Sequence, residues 1–324
     1  IPVDMLKPEA ERAEVMVVSG SATVADQPLV AGNRVAAGAV IRTGADGFVS
    51  LRTPDGSVIS LQPATEAQVQ SVSRYRSTDI FRTVVRMVTG RIEALVEKVR
   101  GPSRFEVQTE VAVAGVRGTR FRVAAERGPG AARSQTEVIE GSVGFRAAAA
   151  GEAVVVDAGF GSVTDASGRP QAPAALLGAP DIRTDDALQE RIVTRFRFPA
   201  VAGATRYRGQ VALDRDFRRG ISEAQFTTPE IKFADLPDGE YFLRARAVDA
   251  VGLEGRDAVF GFRLKARPEP PLLTAPGPAG KLRAVRASLS WTANPDARGY
   301  RVQVSEDESF ARIVDERALD GTEM

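Results

Sequence analysis

The chain has 324 residues, with 43 basic and 42 acidic side chains and neither cysteine nor histidine. This length predicts two to three domains, and the balanced charge argues against a bulk polyanion binder. The missing residue types exclude a Cys/His zinc site, a disulfide framework and Ser-His-Asp or Cys-His catalysis, so any metal would need oxygen ligands, which means calcium or magnesium.

The chain begins at Ile1, with no basic–apolar leader and no apolar run of the roughly 18–20 residues that cross a bilayer. The sequence is therefore read as processed or truncated, and the signal or anchor of an exported protein would lie upstream. After a lead-in over residues 1–13, residues 14–166 read as many short strands. Val15-Met-Val-Val18, Val49-Ser-Leu51, Val58-Ile-Ser-Leu61, Phe105-Glu-Val107, Phe121-Arg-Val123 and Val138-Ile139 are apolar or alternating, and glycines or Pro-Asp-Gly separate them. Residues 80–96 carry apolar side chains at helical spacing, but Gly90 interrupts them and valine is common, which predicts two strands there. Pro54-Asp55-Gly56 predicts a turn. The glycines of Gly115-Val-Arg-Gly118 fit either strand corners needing positive φ or an amide cradle for an anion.

Residues 167–189 contain Pro170, Pro173 and Pro180 and no stable period, so they predict a semi-stiff linker. An internal repeat follows. Phe198, Tyr207 and Phe217 recur as Trp291, Tyr300 and Phe310, at an offset of 93 in every case. Both copies alternate after the tyrosine, as Tyr207-Arg-Gly-Gln-Val211 and Tyr300-Arg-Val-Gln-Val304. Tandem β-sandwich modules over residues 190–267 and 268–324 give such a period. The second copy stops before the counterpart of Lys232–Leu264, so a continuation of at least about 35 residues past Met324 is expected, on the strand lengths such a sandwich needs. Tyr207, Tyr241, Trp291 and Tyr300 are expected in the cores.

Two resemblances rest on these motifs. Phe105–Val123, with Gly115-Val-Arg-Gly-Thr-Arg-Phe-Arg-Val, resembles the hallmark of FecR-type domains. Arg42–Leu61 around Pro-Asp-Gly, Thr136-Glu-Val-Ile-Glu140-Gly141-Ser-Val-Gly and Ala158-Gly-Phe-Gly-Ser-Val-Thr match that family's other signatures in order. Leu236-Pro-Asp-Gly-Glu-Tyr241-Phe-Leu-Arg-Ala-Arg-Ala-Val-Asp249 is similar to the sixth-strand region of fibronectin type III-like domains. The resemblances imply an all-β chain: a β-solenoid-like FecR-like module, then one complete and one incomplete sandwich. They imply a non-catalytic recognition or sensory protein of the bacterial periplasm or cell surface, binding an envelope protein or peptidoglycan or another glycan. A cell-wall scaffold or adhesin is the alternative. An upstream LysM domain or a membrane-sensor partner would fit. No cofactor is expected.

The candidate binding residues are Arg117, Arg120 and Arg122. They sit in a basic stretch, Arg74 to Arg133, that holds thirteen basic and six acidic residues. Arginine there fits docking of an acidic segment or anionic polymer; it equally fits a solvated β face. Nucleic acid is disfavoured because stacking aromatics are scarce. Asp55 and Asp238 read as turn residues, and Glu93, Glu97, Glu137 and Glu140 as a solvated face.

Overall fold

The computed structural model describes residues 7–75, 78–98, 103–116, 118–127, 132–149, 153–277, 280 and 288–324. Among them there is no α-helix, and the chain is all-β, as expected. In chain order come β1 (Pro8–Ala10), β2 (Arg12–Ser19), β3 (Ala22–Val24), β4 (Gln27–Pro28), β5 (Arg34–Ala36), β6 (Val40–Thr43), β7 (Phe48–Arg52), β8 (Val58–Leu61), β9 (Glu66–Tyr75) and β10 (Phe81–Leu95). Then follow β11 (Arg104–Gln108), β12 (Ala112–Val116), β13 (Arg120–Glu126), β14 (Arg133–Glu140), β15 (Ser142–Ala147), β16 (Val154–Asp157), β17 (Phe160–Thr164) and β18 (Ala174–Ala175). The remaining strands are β19 (Leu188–Gln189), β20 (Thr194–Arg197), β21 (Arg206–Ala212), β22 (Gly220–Phe226), β23 (Glu230–Phe233), β24 (Gly239–Val248), β25 (Ala258–Leu264), β26 (Leu273–Ala275), β27 (Ser290–Trp291), β28 (Tyr300–Ser305) and β29 (Ile313–Leu319).

The chain divides into two compact units. The first takes Ile1–Ala187, Arg195–Ile231 and Glu240–Phe262, and the second takes Leu188–Thr194, Lys232–Gly239 and Arg263–Met324. In the first unit, strands up to β18 form two sheets. One runs β5-β2-β7-β8-β10-β13-β14-β17-β18 and is antiparallel throughout. The other includes β6, β9, β10, β11, β12, β15 and β16, where β10 and β11 are parallel. From β11 onward the chain lays down strands in pairs, alternating between the sheets. Alternating side chains from both sheets make one core, with Ile41, Val107 and Phe145 from one and Leu51, Phe121 and Val138 from the other.

The segment read as two strands, residues 80–96, is one strand, β10, that changes sheets at Gly90. Its first half pairs with β9 and β11, its second with β8 and β13. Gly90 has φ +95°, and a Cβ there would stand 2.4 Å from the Thr65 Cα. Glycine fits because it alone tolerates that backbone and that approach. The Thr65 hydroxyl fixes the crossing: it accepts from Arg91 N–H at 2.9 Å and donates to Arg91 C=O at 3.1 Å. Pro54-Asp55-Gly56 is the expected turn, closed by Thr53 N–H to Ser57 C=O at 2.9 Å. Gly118, at φ +64°, is the corner into β13, whereas Gly115 lies within β12 opposite Gly144.

The first unit also contains the sheet β25-β24-β21-β22, with β25 contributing as far as Phe262. One face is apolar, with Tyr207, Val211, Leu243, Ala245 and Ala247 buried. The Tyr207 hydroxyl accepts from Val201 N–H at 2.9 Å. In the second unit, Tyr300 does the same for Asn294 N–H at 2.8 Å, and its ring meets Trp291 edge-on at 5.7 Å. Phe217 and Phe310 share a φ of +56°. The 93-residue offset is thus reproduced in backbone geometry as well as in sequence. The second unit pairs β28 with β29 and β26 with β27, and it ends with Met324 bonded in both directions to the Leu289 backbone at 2.9 Å.

Candidate functional site

Strand alternation puts charge on the second face of the long antiparallel sheet. On β13, Phe121 and Val123 enter the core while Arg120 and Arg122 point the other way. The pairing register places Glu93 beside Arg122, and Arg122 beside Glu137. On β24, Leu243, Ala245 and Ala247 face their own core, so Arg244 and Arg246 project from the opposite face. Arg208 pairs in register with Arg246, and Gln210 with Arg244. The two charged faces meet inside the first unit. Arg122, Glu137, Arg208, Arg244, Arg246 and Glu254 are all buried.

Glu254, in the loop between β24 and β25, is the hub. Its side chain lies 2.8 Å from each of Arg91, Arg208 and Arg246 and 3.4 Å from Arg122. Its backbone N–H donates to Glu137 at 3.0 Å. Arg122 donates to the carbonyls of Glu254 at 3.1 Å and Gly255 at 2.9 Å, which fixes the loop itself. A second centre forms at Glu93, 3.0 Å from Arg244, 3.2 Å from Arg246 and 3.4 Å from Arg120. Asp257 bonds Arg246, and Glu223 bonds Arg208 and Gln210. Gln210 donates to Gln62 at 2.7 Å. Arginine suits this role because its flat fork engages several oxygens at once.

Environment sets the carboxyls apart. Burial disfavours the charged form of Glu254, but Arg208, Arg91, Arg246 and Arg122 outweigh it and hold this carboxyl well below the ordinary range. Burial likewise opposes ionisation of Glu93 and Asp257, and neighbouring arginines, chiefly Arg244 for Glu93 and Arg246 for Asp257, pull both down. Glu137 goes the other way. Burial raises it, and the Glu254 charge adds to the rise against the pull of Arg122. Its Oε2 and the Arg122 Nε stand 3.7 Å apart, and among the described residues neither has a hydrogen-bond partner. Burial and the neighbouring Arg246 charge lower Arg244 to about 10, still charged at neutral pH. Its guanidinium also lies over the Phe217 ring, 4.3 Å from the centroid.

The predicted binding residues fare differently. Arg117 lies outside the described residues. Arg120 is about one-third exposed and pairs with Glu93. Arg122 is 1% exposed and engages Glu137, Glu254 and Asp257, so it offers no surface to a partner. The solvated-face reading does not hold for Glu93 or Glu137, because the β21–β24 layer covers that face. Sequence reasoning missed Arg208, Arg244, Arg246 and Glu254. The available signal was the alternation Leu243-Arg-Ala-Arg-Ala247, which gives a strand two strongly different faces. Among the described residues, no helix is long and apolar enough to cross a membrane, which does not bear on membrane β-barrels.

Comparison with curated proteins returns no match. Two crystal structures of a proposed anti-sigma factor from Parabacteroides distasonis superpose in part. One has 19% identity and a TM-score of 0.34, covering 42% of this chain and 59% of that one. The other has 17% identity and a TM-score of 0.34, covering 44% and 68%. Thus the chain spans less than two thirds of the first. Residues 39–144 match the family model described as FecR protein, so the chain carries a FecR domain in that stretch.

Proposed function

We propose that this chain is a non-catalytic recognition protein of the bacterial cell envelope, working in surface signalling at the periplasm or cell surface. The observation that carries the reading is the FecR match over residues 39–144. The charge network is consistent with it, since its buried ionic groups are engaged with one another. In this reading the FecR-like module covers residues 14–166, a linker covers 167–189, and fibronectin type III-like modules cover 190–267 and 268–324. The paired tyrosine contacts of Tyr207 and Tyr300 support the tandem modules. Arg122 then serves as a clamp between the FecR-like sheet and the first module, while recognition falls to exposed groups.

The test is photocrosslinking in cells, followed by fractionation of the full protein. The expected result is recovery in the envelope fraction with a discrete protein crosslink. Recovery in the cytosol would refute the reading. Sedimentation with isolated cell-wall sacculi and no protein crosslink would favour a scaffold.

A further inference from the structure

Beside the charge network lies a cavity of about 510 Å3, lined from both layers of the first unit. Ile139, Leu176 and Val259 supply apolar surface, and Arg120, Arg215 and Arg256 supply positive charge. Arg244 and Asp257 also reach it, but they are tied to Glu93 and Arg246. Arg215 and Arg256 are exposed, and among the described residues neither guanidinium has a carboxylate partner. Arg120 touches Glu93 only at 3.4 Å through one nitrogen. The remaining acid at the rim, Asp216, is paired with Arg218 at 3.5 Å.

The backbone that carries these arginines is held in place. Asp214 accepts from Arg218 N–H at 3.1 Å and Arg219 N–H at 2.8 Å, closing the turn that bears Arg215. The Arg256 N–H donates to Leu177 C=O at 2.9 Å. Fixed backbone lowers the ordering cost of binding.

We propose that this cleft receives a short acidic peptide segment of a protein partner, whose carboxylates pair with Arg215, Arg256 and Arg120 while aliphatic side chains cover Ile139, Leu176 and Val259. Arginine forks match carboxylates two bonds at a time, and arginine clusters are a recurrent way to read acidic motifs. Charge complementarity and the apolar floor select this occupant. A polyphosphate or nucleic-acid strand has no aliphatic groups for the floor, and Asp216 and Asp257 repel an unbroken line of charge. The cavity falls within the roughly 300–1,000 Å3 typical of ligand sites.

This inference rests on the recognition function proposed above and names the chemistry of its partner. The probe is a fluorescein-labelled peptide, Glu-Leu-Glu-Leu-Glu-Leu-Glu, titrated with the full chain and followed by anisotropy at low salt. Saturable binding is expected. The double variant R215A/R256A should weaken it about tenfold, as loss of about 1.4 kcal/mol of charge-assisted contact would give. Its melting temperature should match the wild type, since both side chains are exposed. The control R34A/R52A, with exposed arginines elsewhere, should bind as wild type does. The proposal fails if the peptide does not saturate, if R34A/R52A loses as much as R215A/R256A, or if hexametaphosphate displaces the peptide more effectively than unlabelled peptide does. Protein crosslinks in cells that survive R215A/R256A would refute the cleft alone. Absence of crosslinks from the wild type would refute the recognition function itself.

Discussion

Replacing Glu254 by glutamine keeps the side-chain shape and removes the charge shared by Arg91, Arg122, Arg208 and Arg246. Breaking a buried ion pair from one side costs about 3–5 kcal/mol, because the abandoned charge stays buried. Here the lower end is expected, for a reason visible in the structure. Burial and the Glu254 charge raise the Glu137 carboxyl above its ordinary range. Once that charge is gone, Glu137 ionises more readily and compensates Arg122. The single variant should therefore lose about 3 kcal/mol, and the double variant E254Q/E137Q should lose more than the two singles summed. Urea unfolding followed by far-ultraviolet circular dichroism measures this. With a slope of about 2–3 kcal/mol per molar, 3 kcal/mol moves the midpoint by about 1–1.5 M. R127Q, at the exposed Arg127–Glu110 pair, should leave the midpoint unchanged. A midpoint shift for E254Q below about 0.3 M, or additivity within about 0.5 kcal/mol, would refute the view of Glu254 as a hub coupled to Glu137.

Four further outcomes can be checked. The lowered carboxyls of Glu254, Glu93 and Asp257 stabilise the fold above the ordinary carboxylate range, so melting temperature should fall steeply as pH drops below about 4.5. Glu137 has the opposite sign: its contribution is complete below about 4.5 and is lost as pH rises through its raised folded value, so E137Q should equal or exceed the wild type in melting temperature at pH 8. Gly90→Ala forces a side chain into positive φ against the Thr65 backbone and should cost at least about 1–3 kcal/mol by denaturant titration. Tyr207→Phe removes the acceptor for Val201 N–H, and Tyr300→Phe removes that for Asn294 N–H; each should cost about 1 kcal/mol by the same measurement.

Local chemistry was legible in the sequence. Pro54-Asp55-Gly56 makes its turn because proline presets φ and Asp55 accepts from the Ser57 backbone at 3.2 Å. Alternation marked Phe121-Arg-Val123 as a strand, and both of its apolar side chains lie in the core. The 93-residue repeat located Tyr207 and Tyr300, whose hydroxyl contacts match. What stayed hidden is long-range. Arg122 meets Glu254 across 132 residues, and no local pattern says that two polar sheet faces will cover one another. Alternation reports that a face is polar and is silent on whether water or another sheet lies against it. For that reason Glu93 and Glu137 read as solvated. The continuity of β10 was hidden for a different reason: a glycine at positive φ usually ends a strand, and here Thr65 bonds both sides of the crossing and keeps the strand intact.

A polar interface between the two layers carries a physical consequence. An apolar one would tolerate sliding, since its energy depends on area and hardly on alignment. In the charged one, each guanidinium has partners at fixed angles, and a one-residue slip of β24 would turn Arg244 and Arg246 into the apolar core. The cost of such a slip is the desolvation of two charges, far more than the network adds to net stability. The network therefore selects one alignment of the FecR-like sheet against the β21–β24 layer. The cleft depends on that alignment. Arg120 comes from one layer and Arg215 and Arg256 from the other, and the cavity exists only where these surfaces meet in register. Glu93 joins the two, since it holds Arg120 of the cleft and Arg244 and Arg246 of the network. Buried charge in this chain is thus better understood as the means of positioning an exposed charged site than as a source of stability.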